Sequence, residues 1–246
     1  MIRPDERVPF TSHLVELRNR LIVCLVAIGI GFSISYYFYK DIFDLLARPL
    51  VQAMPPGSTL VYTGIVEAFF TYLKVSLLAG VILASPVIIY EIWAFITPGL
   101  YEHERPWIIP VVFFSTLFFA SGVVFGYYVV FPVAFEYFLS FATDTIRPLP
   151  SMREYFSFVI RFLLAFGLVF ELPVFIFFLA RFGIVDAHML SAYRKYSVLL
   201  IFIAAAILTP TPDIISQFLM AGPMLVLYEV GVIVARVFGK KKPTDI

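Results

Sequence analysis

Long uninterrupted runs of apolar residues dominate the chain, and they predict membrane-spanning helices. The six runs are Leu21–Tyr39, Phe69–Tyr90, Trp107–Phe131, Tyr155–Ala180, Tyr196–Leu208 and Ile214–Val234. Because apolar and polar residues do not alternate within them, the runs favour helices over the strands of a membrane barrel. The sequence therefore predicts an all-α membrane protein with six transmembrane helices in a single domain, residues 1–246.

The last two runs are expected to be short helices. The first four runs are long enough for a hydrocarbon layer of about 30 Å, whereas Tyr196–Leu208 reaches only about 20 Å. The apolar part of the sixth run is interrupted by Glu229. The prolines of the intervening TPTPD segment, residues 209–213, stop one helix and start the next. A re-entrant hairpin that never crosses is the alternative, but six crossings agree better with the charges.

Lysine and arginine near the span ends predict the orientation. One side carries twelve: Arg3, Arg7, Arg18, Arg20, Arg105, Arg181, Arg194, Lys195, Arg236, Lys240, Lys241 and Lys242. The other side carries four: Lys40, Arg48, Arg147 and Arg153. Basic residues concentrate in cytoplasmic loops, so both termini are predicted to be cytoplasmic.

Composition supports the membrane class and excludes several functions. The chain is 61% hydrophobic and 14% charged, against roughly half and a quarter in soluble domains. The single cysteine, Cys24, excludes disulfides and thiolate metal sites within the chain. The sequence has no GxxxxGK[ST], HExxH or CxxC motif and no basic segment with interleaved aromatics. The chain therefore lacks the machinery for nucleotide-driven pumping and zinc hydrolysis, and we expect no metal, cofactor or nucleic-acid partner.

The segment WAFITPGLYEHERPW, residues 93–107, is an unusual cytoplasmic loop because it is acidic. It carries Glu102 and Glu104 against Arg105. A carboxylate accepts two parallel hydrogen bonds from a guanidinium, so two neighbouring acids suit a ligand with paired arginines. The alternative is a solvated charge cluster satisfied by Arg105 and His103.

The segment before the first run, Pro9–Leu21, has leucines at helical spacing and an i, i+4 pair of Glu16 and Arg20. It is predicted to lie along the cytoplasmic membrane surface and to run into the first span. It is either a simple entry helix or, through Glu16 and Arg18, part of the same binding surface as the acidic loop.

Glu171 is predicted to lie near the middle of the bilayer, about ten residues or ~15 Å from the cytoplasmic end of its run. An acid there must face protein or water, or be protonated. Pro173 should kink the helix and open a polar pocket. Glu171 is then either held by a hydroxyl or by Gln217, or part of a polar site used in transport. Asp213 fits a helix N-cap one turn before Gln217.

Four segments in order, HLVELRNRL, SPVIIYEIWAFITPGLYEHER, FGLVFELPVF and LTPTPDIISQ, closely resemble the TatC family. The resemblance covers nearly the whole chain. It implies the multispanning receptor subunit of the twin-arginine protein translocase, a concave bundle in the bacterial inner membrane without enzymatic activity. Such a subunit binds twin-arginine signal peptides of folded proteins, and the proton motive force drives their translocation. The implied partners are TatA- and TatB-type single-span subunits, further copies of the chain and the lipid bilayer.

The resemblance also implies roles for individual residues. The signal-peptide site takes Glu16, Arg18, Phe95 and Glu104, with Glu102 and Arg105 beside them in the acidic loop. Pro49 supports the fold from an outer loop, Glu171 is the intramembrane acid, and Asp213 and Gln217 belong to the turn between the last two helices. Glu91 departs from the neutral amide expected at its position. The alternative function, a proton-coupled transporter of a small solute using Glu171, lacks the internal repeat common in transporters.

Overall fold

The computed structural model describes residues 10–55, 57–96, 108–143, 147–209 and 213–239. Ten α-helices lie in these ranges: α1 Phe10–Tyr37, α2 Tyr39–Ala53, α3 Glu67–Ile96, α4 Ile108–Phe125, α5 Phe131–Leu139, α6 Met152–Phe170, α7 Leu172–Arg181, α8 Ala187–Ala192, α9 Arg194–Leu208 and α10 Ile214–Phe238. The only β pairing there is an isolated bridge between Val61 and Ser151. The predicted all-α class is confirmed.

Five helical segments within the described ranges are long and apolar enough to cross a membrane. They are His13–Tyr37, Glu67–Ile96, Ile109–Leu139, Met152–Arg181 and Ile214–Phe238. The predicted fifth span corresponds to α9, whose 15 residues reach about 22 Å. Its shortness is confirmed, and six crossings remain a prediction.

The prediction of a short sixth helix is wrong. α10 has 25 residues and reaches about 37 Å, enough to span the hydrocarbon layer. The helix continues through Glu229 because glutamate is a good helix former, and its carboxylate lies 2.6 Å from the guanidinium of Arg194, at the start of α9. A charged residue that ends an apolar run in the sequence therefore does not end the helix.

The first predicted span also differs from the structure. α1 is one unbroken helix of 28 residues, so the segment before Leu21 continues straight into the span and does not form a separate surface helix. α1 packs chiefly against α3. The two helices come closest at Gly31 and Gly80, where glycine is required because a Cβ on Gly31 would lie 2.5 Å from the Gly80 carbonyl oxygen.

Two irregularities interrupt the long helices. A five-residue π-helix, Gly126–Val130, joins α4 to α5. The helix formed by α6 and α7 is interrupted at Glu171. The second break was expected, because Pro173 cannot donate a backbone hydrogen bond. α6 lies at the centre of the bundle, where its Phe156, Phe162 and Phe166 are almost completely buried.

Glu67 fixes the starts of α3 and α6 at the same level. We call the end of the bundle where α1 begins the N-terminal end and the other the far end. At the far end, one carboxylate oxygen of Glu67 accepts hydrogen bonds from the amides of Thr63 and Gly64 at 3.0 and 3.2 Å. Its other oxygen accepts from the Arg153 amide at 2.9 Å. The carboxylate therefore ties the loop before α3 to the first turn of α6.

Candidate functional site

An ion-pair network joins α1 to α3 at the N-terminal end of the bundle. The Arg20 guanidinium lies 2.7 Å from Oε1 of Glu16, one turn earlier on α1. It also lies 2.8 Å from Oε2 of Glu91 on α3. The predicted i, i+4 pair of Glu16 and Arg20 is confirmed, and Glu91 is a second acid on the same guanidinium.

An aromatic contact lies beside this network. The rings of His13 and Phe95 stack with centroids 4.4 Å apart, and Nδ1 of His13 lies 3.8 Å from the Glu16 carboxylate. His13 therefore connects Phe95 to Glu16. Glu16 and Phe95, which were expected in one site and are 79 positions apart in the chain, therefore lie in the same patch. We call His13, Glu16, Arg20, Glu91 and Phe95 the α1–α3 patch.

The electrostatics of the α1–α3 patch favour a cation. Two carboxylates share one guanidinium, so Glu16, Glu91 and Arg20 together carry a formal charge of −1. Glu16 and Glu91 have side chains 31% and 14% exposed. An ionised carboxylate has about four acceptor positions, so the acids can accept hydrogen bonds from a second guanidinium while they hold Arg20.

The other residues predicted for this site do not join the patch in the described part of the chain. Arg18 is exposed, and its guanidinium donates to the side chain of the adjacent Asn19 at 3.2 Å. Glu102, Glu104 and Arg105 lie outside the described residues, as does the rest of the acidic loop from residue 97 to 107.

Glu171 lies between α6 and α7 and faces α4. The Ser115 hydroxyl of α4 lies beside its carboxyl group, and the same hydroxyl accepts a hydrogen bond from the indole N–H of Trp93 on α3 at 3.2 Å. Oε1 of Glu171 is buried with no hydrogen-bond partner among the described residues. The intramembrane acid is thus adjacent to a hydroxyl, one of the alternatives that the sequence left open.

Gln217 does not join Glu171, contrary to the prediction of a shared polar site. Its amide donates to the Phe202 carbonyl of α9 at 3.0 Å. One turn earlier, the Asp213 carboxylate accepts from the Ser216 amide at 2.7 Å. Asp213 is therefore the N-cap of α10, as predicted, and both residues hold the junction between α9 and α10.

Pro49 is buried inside α2 and has a specific structural consequence. Since proline lacks an N–H, the Leu45 carbonyl four residues earlier has no helical donor. The Tyr127 hydroxyl, from the π-helix, donates to that oxygen at 2.6 Å. Pro49 thus creates the acceptor through which α2 attaches to the α4–α5 helix, and it lies inside a helix, not in the outer loop where it was expected.

A family model described as "Sec-independent protein translocase protein (TatC)" matches residues 12–223. The chain belongs to the TatC family. The TatC protein of Desulforapulum autotrophicum is 52% identical over 245 residues, which are 100% of this chain and 90% of the relative. TatC of Escherichia coli K12 is 39% identical over 234 residues, 95% of this chain and 90% of the relative.

The fold agrees with solved TatC structures. A crystal structure described as "Twin Arginine Translocase Receptor- TatC" superposes with a TM-score of 0.80 at 38% identity, covering 92% of this chain and 99% of that one. The chain is therefore a membrane protein of the Tat translocase, a component of protein transport with partners in the Tat complex. The comparisons give no support to the alternative of a small-solute transporter.

Two parts of the α1–α3 patch were missed in the sequence. Glu91 drew notice as a departure at its position, but its pairing with Arg20 joins residues 71 positions apart. His13 was not among the residues predicted for the site. Within the described residues, no group of three or more His, Cys, Asp or Glu side chains is arranged to hold a metal ion.

Proposed function

We propose that this chain is the receptor of a twin-arginine export system in a bacterial inner membrane, with both termini in the cytoplasm. It binds signal peptides of folded proteins at the N-terminal end of the bundle and organises their translocation, driven by the proton motive force. Its partners are TatA- and TatB-type single-span subunits and further copies of itself. The protein has no catalytic centre.

The observation that carries this proposal is the α1–α3 patch. Glu16 and Glu91 present carboxylates around a guanidinium that is already bound, so the patch has the chemistry that a second arginine needs. Phe95 and His13 provide an adjacent aromatic surface. The proposed site also includes Arg18 at the exposed rim and three residues of the loop after α3: Glu102, Glu104 and Arg105. These three loop residues together add a formal charge of −1.

Glu171 has a separate place in the proposal. It lies within the helical segment Met152–Arg181, beside Ser115 of α4, and it is not one of the side chains that form the α1–α3 patch. We assign it to the translocation step, where a membrane-embedded carboxyl next to a hydroxyl can change its protonation or its partner. Gln217 and Asp213 support this step by fixing α9 against α10, and Pro49 supports the far end.

The proposal is tested by measuring binding of a labelled signal peptide to the full-length protein in lipid nanodiscs. We expect a peptide with paired arginines to bind at least tenfold tighter than the same peptide with paired lysines. Glu16→Gln and Glu104→Gln should each remove most of that preference, because lysine cannot make the bidentate contact. Glu136→Gln, the same change at an exposed far-end residue, is the control.

Two results would overturn the proposal. Equal binding of the arginine and lysine peptides by the unaltered protein would remove the basis for recognition by carboxylates. An equal loss in the Glu136→Gln control would show that the effect comes from overall charge and not from this site.

A further inference from the structure

Two basic side chains inside membrane-spanning helices line one groove between α3 and α6. Lys74 is on α3 and Arg161 on α6, with Ser157 one turn before Arg161. The groove has a volume of about 270 Å³. Its apolar walls are formed by Leu77, Leu78, Val81, Ile160 and Leu164. A groove in a lipid-facing surface that collects two cations and a hydroxyl differs from an ordinary packing defect.

Lys74 and Arg161 lie at comparable depths in the membrane. Lys74 is seven residues from the start of α3 and Arg161 nine from the start of α6, which correspond to about 10 and 14 Å along the helices. The hydrogen bond from the Arg153 amide to Glu67 holds the two helix starts level. Both cations therefore belong to the outer part of one leaflet, from which long side chains extend toward the headgroups.

Neither cation is neutralised within the described part of the protein. Both side chains are exposed, and no ion pair or hydrogen bond joins either to a described residue. The nearest acids on the same helices are Glu67 and Glu154, each seven residues away or about 10 Å along the axis. Both carboxylate oxygens of Glu67 already accept hydrogen bonds from backbone amides. Cations inside a membrane are costly when unpaired and are usually matched by a partner.

We propose that this groove binds the headgroup phosphate of an anionic phospholipid. The Arg161 guanidinium donates two parallel hydrogen bonds to phosphate oxygens, the Lys74 ammonium supplies the second charge, and the Ser157 hydroxyl donates a further hydrogen bond. The apolar walls hold the adjoining part of an acyl chain. Basic pockets between transmembrane helices recognise lipid headgroups in this way, and the position near the edge of the hydrocarbon layer favours a lipid over an acidic residue of another helix.

Native mass spectrometry of the full-length protein, released from detergent supplemented with phosphatidylglycerol or phosphatidylcholine, tests the proposal. We expect the unaltered protein to retain phosphatidylglycerol at least tenfold better than phosphatidylcholine. The double variant Lys74→Gln/Arg161→Gln should lose that preference. The control is Lys40→Gln/Arg48→Gln, which removes two exposed cations from α2, outside the groove, and should retain the lipid like the unaltered protein.

A second measurement uses the unaltered protein and so does not depend on the folding of a variant. Phosphatidylglycerol with a photoreactive group close to its headgroup should label peptides containing residues 74–81 and 157–164. Labelling confined to other peptides would overturn the proposal. Equal retention of the two lipids by the unaltered protein, or equal loss in both double variants, would also overturn it.

Discussion

Gly31 and Gly80 meet where α1 crosses α3. The space there is so small that a Cβ on Gly80 would lie 2.6 Å from the backbone nitrogen of Phe32, the residue after Gly31. Backbone atoms cannot move aside as a flexible side chain can. The close approach is therefore a condition for the whole α1–α3 contact, including the patch at the N-terminal end.

Gly31→Ala should separate the two helices and lower the free energy of unfolding by about 1–3 kcal/mol, the usual cost of overpacking. Gly29→Ala is the matched control, because a Cβ there meets no atom within 4 Å. It should be neutral or stabilise α1 by up to about 1 kcal/mol, since alanine favours the helix. Unfolding in mixed detergent micelles measures both, and equal losses would contradict the close-contact argument.

The Arg20–Glu91 ion pair should show measurable coupling between α1 and α3. In a double-mutant cycle with Arg20→Gln and Glu91→Gln, we expect about 0.5–1 kcal/mol of interaction in the free energy of unfolding. The more exposed Arg194–Glu229 pair, with side chains 51% and 48% accessible, is the comparison. Its coupling should be smaller because water screens it more. If the coupling free energy of Arg20–Glu91 does not exceed that of Arg194–Glu229, the pair does not hold α1 to α3 more strongly than an exposed ion pair would.

Tyr127→Phe should destabilise the protein by about 1 kcal/mol, because the Leu45 carbonyl then loses its hydrogen-bond donor. Pro49→Ala restores a backbone N–H to that carbonyl, so the same tyrosine change should cost less in the Pro49→Ala background. Tyr128→Phe is the control, since its ring is 67% exposed. Thermal unfolding of the four combinations tests this, and an undiminished cost in the alanine background would disprove the link between Pro49 and Tyr127.

Glu171→Gln should preserve folding and signal-peptide binding but reduce export of a twin-arginine reporter at least tenfold. The amide fits the same space, while it cannot ionise or release a proton. The α1–α3 patch is formed by other helices and should be unaffected. Export assays in cells, with Glu136→Gln as the control, give the measurement. Full export by Glu171→Gln would mean that translocation needs no ionisable group at this position.

Features set by neighbours in the sequence were predictable. The Asp213 cap depends on an amide three residues later, the helix break at Glu171 on Pro173, and the Glu16–Arg20 pair on one helical turn. Each follows from backbone geometry that any helix imposes. The family was predictable for a different reason, since four specific segments occur in one order.

Features that depend on distant residues were not predictable. Glu229 ended the apolar run in the sequence, and its pairing with Arg194 joins residues 35 positions apart. Glu91 could not be assigned while its partner was 71 positions away. Gln217 was placed with Glu171 since both are polar and membrane-embedded, but the packing of α10 directs its amide to α9. In each case the decisive contact is tertiary.

The π-helix Gly126–Val130 sets the direction of every side chain that follows it. A π turn accommodates one residue more than an α turn, and each residue advances the helix by about 100°. Side chains of α5 are therefore rotated by about that angle from the stripe that extrapolation of α4 would give. In a substitution scan along Ile109–Leu139, the positions that tolerate change because they face lipid should form one stripe on α4 and another on α5, rotated by about 100° from the first. Deletion of one residue in the π-helix should align the two stripes.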